Sequence, residues 1–261
     1  MAVGFGKKAR DKEWGFTEAS LPRFFKGSGT GVLVCHGFGC TPSTMRCLYD
    51  RAVGMGLSAS LPLLTGHAET FGDLDRSTYE DWRRDVEEAY SKLVEAGAEK
   101  IILCGLSLGA LLMADLAAKH EGDGKLAGVF LICPPVKMKG YLNFCADIAP
   151  LIPFVQTADG FKTEGTELYY GMATRKLRDI RKMAKLALEG VGNIKAPVML
   201  IEAGNDNRVD PKSYGIMMKK IPAARHIVID GAPHGIPYSD HAPKLCDIFE
   251  GFLTTITDKR R

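Results

Sequence analysis

Gly105-Leu106-Ser107-Leu108-Gly109 is the stretch of this chain best suited to chemistry. It joins residues 101–104, a continuous apolar run of the kind buried on both faces of a parallel sheet, to an almost uniformly apolar run of helix formers from Leu108 to Ala118. No polar loop lies between. A chain that turns from strand to helix in so few residues holds its central serine in a strained conformation, with the hydroxyl thrust outward. Glycines flank the turn because side chains there would meet the neighbouring strand and helix. The helix aims its N-terminal N–H groups at the point where an oxyanion would form. The spacing predicts a nucleophilic Ser107; the alternative is a plain turn serine.

A serine hydroxyl is a poor nucleophile at neutral pH and needs a base, usually histidine, which a carboxylate orients. On a serine turn of this kind the acid and then the histidine follow in chain order, on loops that leave later strands. Two loops fit: Gly204-Asn205-Asp206-Asn207-Arg208-Val209-Asp210-Pro211 after a strand at 198–202, and Gly231-Ala232-Pro233-His234-Gly235 after one at 225–230. Among six histidines, His234 is the candidate base. His36 precedes the serine, His67 lies in a Gly-His turn, His120 closes the helix, His226 is within a strand and His241 opens the last helix. Asp206 is the candidate acid. Asp210 is its rival, although its place before Pro211 fits helix capping better, and Glu202 lies too far back in its strand.

An oxyanion needs two N–H donors. Leu108 supplies the first, and the loop His36-Gly37-Phe38-Gly39 the second, through Phe38, whose flanking glycines let the backbone approach a substrate carbonyl. A Gly-rich loop can instead bind phosphate, but neither dinucleotide nor P-loop spacing is present, so nucleotide binding is not expected.

The elements that must position these groups follow from the hydrophobic pattern. Strands are expected at 23–26 (an edge), 31–35, 57–61, 126–133, 197–203 and 225–230. Helices are expected from Thr41 or Ser43 to about Val53, then at 79–96, 175–188, 212–220 and 241–255, with a loop at 62–75. Alternating strands and helices give an α/β fold with a mostly parallel sheet and right-handed crossovers. The alternation stops at Pro134-Pro135 and resumes at Pro197, a gap too long for a βα loop. The expected organisation is a core of 21–136 and 194–261, an insertion at 137–193 and a lead-in at 1–20.

The chain has 261 residues and a formal net charge of +3, which gives no sign of a nucleic-acid binder. Its seven cysteines form no CxxC pair, so neither a zinc site nor a disulfide framework is indicated, and reduced thiols are expected. No run approaches the roughly 18 apolar residues of a membrane span. The basic stretch 1–14 lacks the apolar core of a signal peptide. A soluble, cytoplasmic protein is expected.

Taken together, the sequence resembles the α/β-hydrolase superfamily over nearly its whole length, and within it the small bacterial carboxylesterase and monoacylglycerol-lipase-like branch. The likeness rests on His36-Gly-Phe-Gly39, Leu61-Pro-Leu-Leu-Thr-Gly-His67, Asp81-Trp82, Gly105-Leu-Ser-Leu-Gly109 and Asp206-x-x-Val209. The resemblance implies an α/β-hydrolase fold, a Ser107-Asp206-His234 triad, a small cap over an acyl pocket, and hydrolysis of esters or monoglycerides without a cofactor or metal. Two departures concern the exact branch: Ala232-Pro233-His234 where Ser-Gly-His is common, and Gly39-Cys40 where Thr-Gly or Ser-Gly is more usual. Thioester cleavage uses the same machinery, and a non-catalytic ligand-binding member of the fold is the reading from a different class.

Gly37, Ile152, Phe154, Tyr170, Val209 and Ile236 are candidate substrate contacts, with a small acyl ester as the expected partner. For the three in the insertion, membership of the insert's own core is an equal alternative. Arg175, Lys176, Arg178, Arg181, Lys182 and Lys185 form a basic stripe, read as a solvated helix face, so membrane contact is not expected. Cys40 is read as a packing residue, and His67 as a group that fixes its loop. Oligomeric state is not legible.

Overall fold

The computed structural model describes residues 15–149, 154–156, 162–163, 165–169 and 171–258. Its strands are β1 (Arg23–Phe25), β2 (Ser28–Cys35), β3 (Leu57–Leu61), β4 (Lys100–Leu106), β5 (Leu126–Ile132), β6 (Phe154–Gln156), β7 (Lys162–Thr163), β8 (Thr166–Glu167), β9 (Gly171–Ala173), β10 (Val198–Ala203) and β11 (Arg225–Ile229). Its helices are α1 (Arg46–Gly54), α2 (Phe71–Arg76), α3 (Tyr79–Glu95), α4 (Leu108–His120), α5 (Gly140–Ile148), α6 (Lys176–Gly190), α7 (Lys212–Lys220) and α8 (Ala242–Thr257).

One seven-stranded sheet runs β1-β3-β2-β4-β5-β10-β11, parallel except for β1, which pairs antiparallel with β3 at the edge. This is the mostly parallel α/β sheet that the alternation of elements predicts, and it agrees with the α/β-hydrolase fold that the resemblance implies. All five residues of β3 are buried, and so are all but the first of β4. Side chains alternate between faces along a strand, so such burial requires helices over both faces of the sheet. The apolar α4 packs on β4 and β5 and is covered in turn by α3 and α6, while α1 packs with α8.

Two local departures from the expected elements have clear causes. Residues Pro42–Met45 form a 3-10 turn, so the helix begins at Arg46 rather than at Thr41 or Ser43. The Thr41 hydroxyl makes no cap; it donates to the Glu167 carbonyl at 2.8 Å. The expected loop 62–75 contains α2, started by a capping box in which Thr70 and Asp73 satisfy each other's backbone N–H groups. Between β5 and β10 the chain forms α5, α6 and two short antiparallel pairs, β6–β9 and β7–β8.

Of the basic stripe of α6, Arg175, Arg178, Lys182 and Lys185 are exposed, as a solvated face requires, whereas Lys176 is buried and Arg181 half-buried, and several of these side chains also hold groups within the protein. Lys176 is 7% exposed and donates to the Ser77 carbonyl at 2.6 Å, with Asp179 at 2.9 Å. Arg178 Nε donates to the Ala146 carbonyl, Arg181 holds Asn143 and Asp147, and Arg175 faces Asp75. These contacts fasten α6 to α5 and to the α2–α3 region. Among the described residues, no helix is long and apolar enough to cross a membrane.

Two glycines decide whether the β4–α4 turn can close. A Cβ on Gly105 would lie 2.3 Å from the Gly109 carbonyl oxygen, and one on Gly109 would lie 2.5 Å from that of Cys35 and 2.6 Å from that of His36. These obstacles are backbone atoms and cannot step aside. Gly109→Ala should therefore destabilise the protein by about 3 kcal/mol, lowering Tm by roughly 6–12 °C. Gly251→Ala, on α8 with nothing within 4 Å of its added Cβ, should leave Tm level or raise it slightly. Calorimetry on both variants checks this. Equal Tm values would mean that the turn is not closed as described.

Candidate active site

β4, β10 and β11 are parallel, so the loops that leave their carboxyl ends emerge along one edge of the sheet. Ser107 follows β4 directly, Asp206 lies three residues past β10, and His234 lies five past β11. Ser107 has φ 54°, ψ −115°, a left-handed conformation that a side chain adopts only under constraint. The constraint is visible on both sides: its N–H donates to the Ile132 carbonyl at 2.8 Å, and its carbonyl accepts from Leu111 N–H in the first turn of α4.

Asp206 is held from three directions. Its Oδ1 accepts from the N–H groups of Arg208 (2.7 Å) and Val209 (2.9 Å), and its Oδ2 lies 2.8 Å from His234 Nδ1. Burial pushes its carboxyl up, but the His234 hydrogen bond and charge, with the two N–H donors, outweigh burial and hold it below the usual range. It is therefore an anion at neutral pH. Burial pushes His234 down, against the pull of Asp206, and the charge of Arg208 adds to the depression. His234 is 5% exposed, and its Nε2 is buried without a hydrogen-bond partner among the described residues. Among the described residues no hydrogen bond joins Ser107 to it; such contacts often tighten only when substrate is bound. Asp210, the rival acid, instead accepts from Lys212 N–H at 2.9 Å and pairs with Lys137 at 3.3 Å. Glu202 lies 2.8 Å from His226 Nε2.

The loop after β2 presses on the serine. A Cβ on Gly37 would meet Ser107 Cβ and the Leu106 carbonyl at 3.3 Å, so only glycine brings this backbone so close without displacing them. Two buried histidines shape the loop. His36 Nδ1 donates to the Gly37 carbonyl at 2.9 Å, and its Nε2 accepts from Leu64 N–H. His67 Nε2 accepts from Gly39 N–H at 3.2 Å. Both acceptor roles require neutral rings, and burial supplies that condition, lowering His36 to about 4 and His67 well below its ordinary value. With the Gly37 carbonyl turned toward His36, the N–H of the same peptide, that of Phe38, points the opposite way. Among the described residues neither Phe38 N–H nor Leu108 N–H has an acceptor.

Two participants lay outside the sequence reading. Tyr169 donates from its N–H to the Gly39 carbonyl at 2.9 Å, and its hydroxyl accepts from Glu69 N–H, so it ties the oxyanion-loop candidate to the α2 region. Cys133 directly follows β5 at φ 47°, its sulfur within 4.8 Å of ligand atoms of Asp206 and His234. Three potential metal ligands thus converge there. However, burial and the Asp206 charge drive the thiol pKa well up, so it stays protonated, and Asp206 already engages His234. Burial likewise raises the Cys40 thiol, which fits packing rather than attack.

A cavity of about 40 Å³ reaches Ser107, lined by Phe38, Pro135, Met138, Leu142, Leu177, Ile180 and Arg208. Of the expected substrate contacts, Ile152 and Tyr170 lie outside the described residues, and only the backbone of Phe154 is described. Val209 is a core residue bridged to Met138, and Ile236 is fully buried; neither lines this cavity. A larger cavity of about 800 Å³ lies by Thr30, Lys100 and Arg225, at the amino ends of the strands and away from the chemistry.

The comparisons agree with this architecture. The sequence pattern of the alpha/beta hydrolase family matches residues 32–248. The thermostable monoacylglycerol lipase of Bacillus sp. (strain H-257) is 25% identical over 217 residues, 80% of this chain and 83% of the relative. A carboxylesterase of Bacillus subtilis (strain 168) is 23% identical over 204 residues, 77% and 81% of the two chains. Among solved structures, one from work on the metagenome-derived lipolytic enzymes LipS and LipT superposes with a TM-score of 0.82 at 23% identity, covering 91% of this chain and 98% of the other. The Paleococcus ferrophilus monoacylglycerol lipase superposes with a TM-score of 0.72 at 17% identity, over 90% and 98%. With its family pattern, sheet order and strained Ser107 turn in agreement, the chain belongs to the alpha/beta hydrolase family.

Proposed function

We propose that the protein is an esterase/lipase-type hydrolase, and more narrowly a serine carboxylesterase acting on short- to medium-chain acyl esters. The observation that carries this reading is the buried Asp206–His234 pair, which leaves Nε2 without a hydrogen-bond partner among the described residues, at the edge of the sheet where Ser107 stands. Ser107 Oγ attacks the ester carbonyl carbon while His234 Nε2 takes its proton. The carbonyl oxygen becomes an anion held by the N–H groups of Phe38 and Leu108. Collapse breaks the C–O bond to the alcohol, which leaves with the proton from His234. Water then attacks the acyl-serine, His234 takes its proton, and the acid is released as Ser107 regains its hydrogen. None of these steps calls for a cofactor. In this reading residues 137–193 are a cap over the acyl chain, and the apolar cavity side chains of Met138, Leu142, Leu177 and Ile180 support that role. The names of the two Bacillus relatives support ester and monoglyceride substrates.

The experiment is kcat/KM for nitrophenyl esters of graded acyl length, below their micellar limits. Each CH₂ buried is worth about 0.8 kcal/mol, roughly a fourfold gain while room remains. Activity should rise from acetyl to between butyryl and octanoyl and then fall. A monotonic rise through palmitoyl would contradict a small pocket, and no turnover of any ester would end the esterase reading.

The pH profile offers a separate check. The base must be neutral, and burial holds His234 below its ordinary value of 6.5. The acid limb of kcat/KM should therefore have its midpoint below pH 6.5, with more than half the plateau remaining at that pH. A midpoint at pH 7 or above would contradict the lowering of His234 by burial.

A further inference from the structure

Arg208 is a charged side chain in the cavity at Ser107, where every other lining side chain except that of the serine is apolar. Its main chain belongs to the acid loop: its N–H donates to Asp206 and its carbonyl accepts from Lys139 N–H at 2.8 Å. The guanidinium takes no part in either contact. Several other arginines face carboxylates, as Arg51 does Glu250, Arg83 does Asp115 and Arg181 does Asp147. Arg208 faces none among the described residues, because the nearby Asp206 is engaged by His234 and by backbone N–H groups. It is half-buried. A cation in such a place has no facing counter-charge, and the apolar walls beside it solvate it poorly on that side. Its field also opposes protonation of His234, the state through which the base must pass. An anion held by the guanidinium would relieve both penalties at once.

We propose that Arg208 selects esters that carry an anionic group, a carboxylate or a phosphate, close to the scissile bond. The proposal rests on the reading of Ser107 as the nucleophile. The charge can sit on the acyl side, as in the monoester of a dicarboxylic acid, or on the alcohol side, as in an acyl ester of glycerol phosphate. The planar guanidinium binds either oxyanion through two parallel N–H bonds, whereas lysine offers only a point charge.

The test uses the full chain, the variants Arg208→Met and Arg208→Lys, and three substrates at the alkaline plateau of activity. These are methyl butyrate, the monomethyl ester of glutaric acid, and butyryl glycerol 3-phosphate. The native protein should favour at least one charged ester over methyl butyrate, and which one identifies the side that carries the anion. Arg208→Met should lower the charged-to-neutral ratio of kcat/KM by about tenfold to a hundredfold, with Arg208→Lys in between. A ratio equal in native protein and Arg208→Met, for both charged esters, would overturn the proposal. One arm needs no variant: glutarate should slow fluorophosphonate labelling of native Ser107 at concentrations where glutaramide does not. Equal effects of the two would also overturn it. If Ser107 labels normally while these differences are missing, the esterase reading stands and only the role of Arg208 falls. If Ser107 does not label, both fall.

Discussion

Asp206→Asn should lower kcat/KM for a nitrophenyl ester by roughly 10³–10⁴-fold with little change in fold. The amide keeps the shape of the side chain, so contacts with Arg208 and Val209 N–H can persist through its carbonyl oxygen. What it loses is the negative charge facing His234 Nδ1 at 2.8 Å. Without that charge the imidazole is no longer held with its proton on Nδ1, and the imidazolium formed on attack is not stabilised. Asp210→Asn should change kcat/KM by less than about threefold, because its carboxylate serves the start of α7 and a half-exposed lysine rather than the histidine. Steady-state kinetics on the two purified variants decide the matter. If the losses ranked the other way, Asp210 would be the acid.

Ser107→Ala should lower kcat on the order of 10⁶-fold, leaving only what the oxyanion donors and binding contribute. Near-native folding is expected, but with one signature. Alanine inherits the left-handed backbone at φ 54° and is no better suited to it, so Tm should stay within a few degrees of the native value. A large Tm drop would mean that the activity loss reports unfolding instead.

The site was legible where local geometry dictates residue type. Gly105 and Gly109 are needed because backbone atoms lie where their Cβ atoms would be, and this demand is written in five consecutive residues. Asp206 and His234 were legible because parallel strands put successive loops on one edge. The mostly parallel sheet and the edge strand were legible in the alternation of elements, but the strand order and the antiparallel pairing of β1 with β3 were not, because strands adjacent in the sheet are not always adjacent in sequence. The helix at Phe71–Arg76 was missed although Thr70-x-x-Asp73 spells its capping box, since six residues give too little periodicity to register. Lys176 reads as solvated in sequence, yet it is buried against a carbonyl 99 residues away. Tyr169 and Cys133 escaped for a related reason. Their partners, Gly39, Glu69 and Asp206, lie far along the chain, and no spacing rule joins them.

The account depends most on Ser107 as the attacking group. The direct measurement is intact-mass analysis of native protein after exposure to a fluorophosphonate probe, with peptide mapping of the adduct. The account predicts a single adduct on Ser107, formed in the native protein and missing in Ser107→Ala. An adduct on another residue, or efficient ester turnover by protein in which Ser107 stays unmodified, would contradict it.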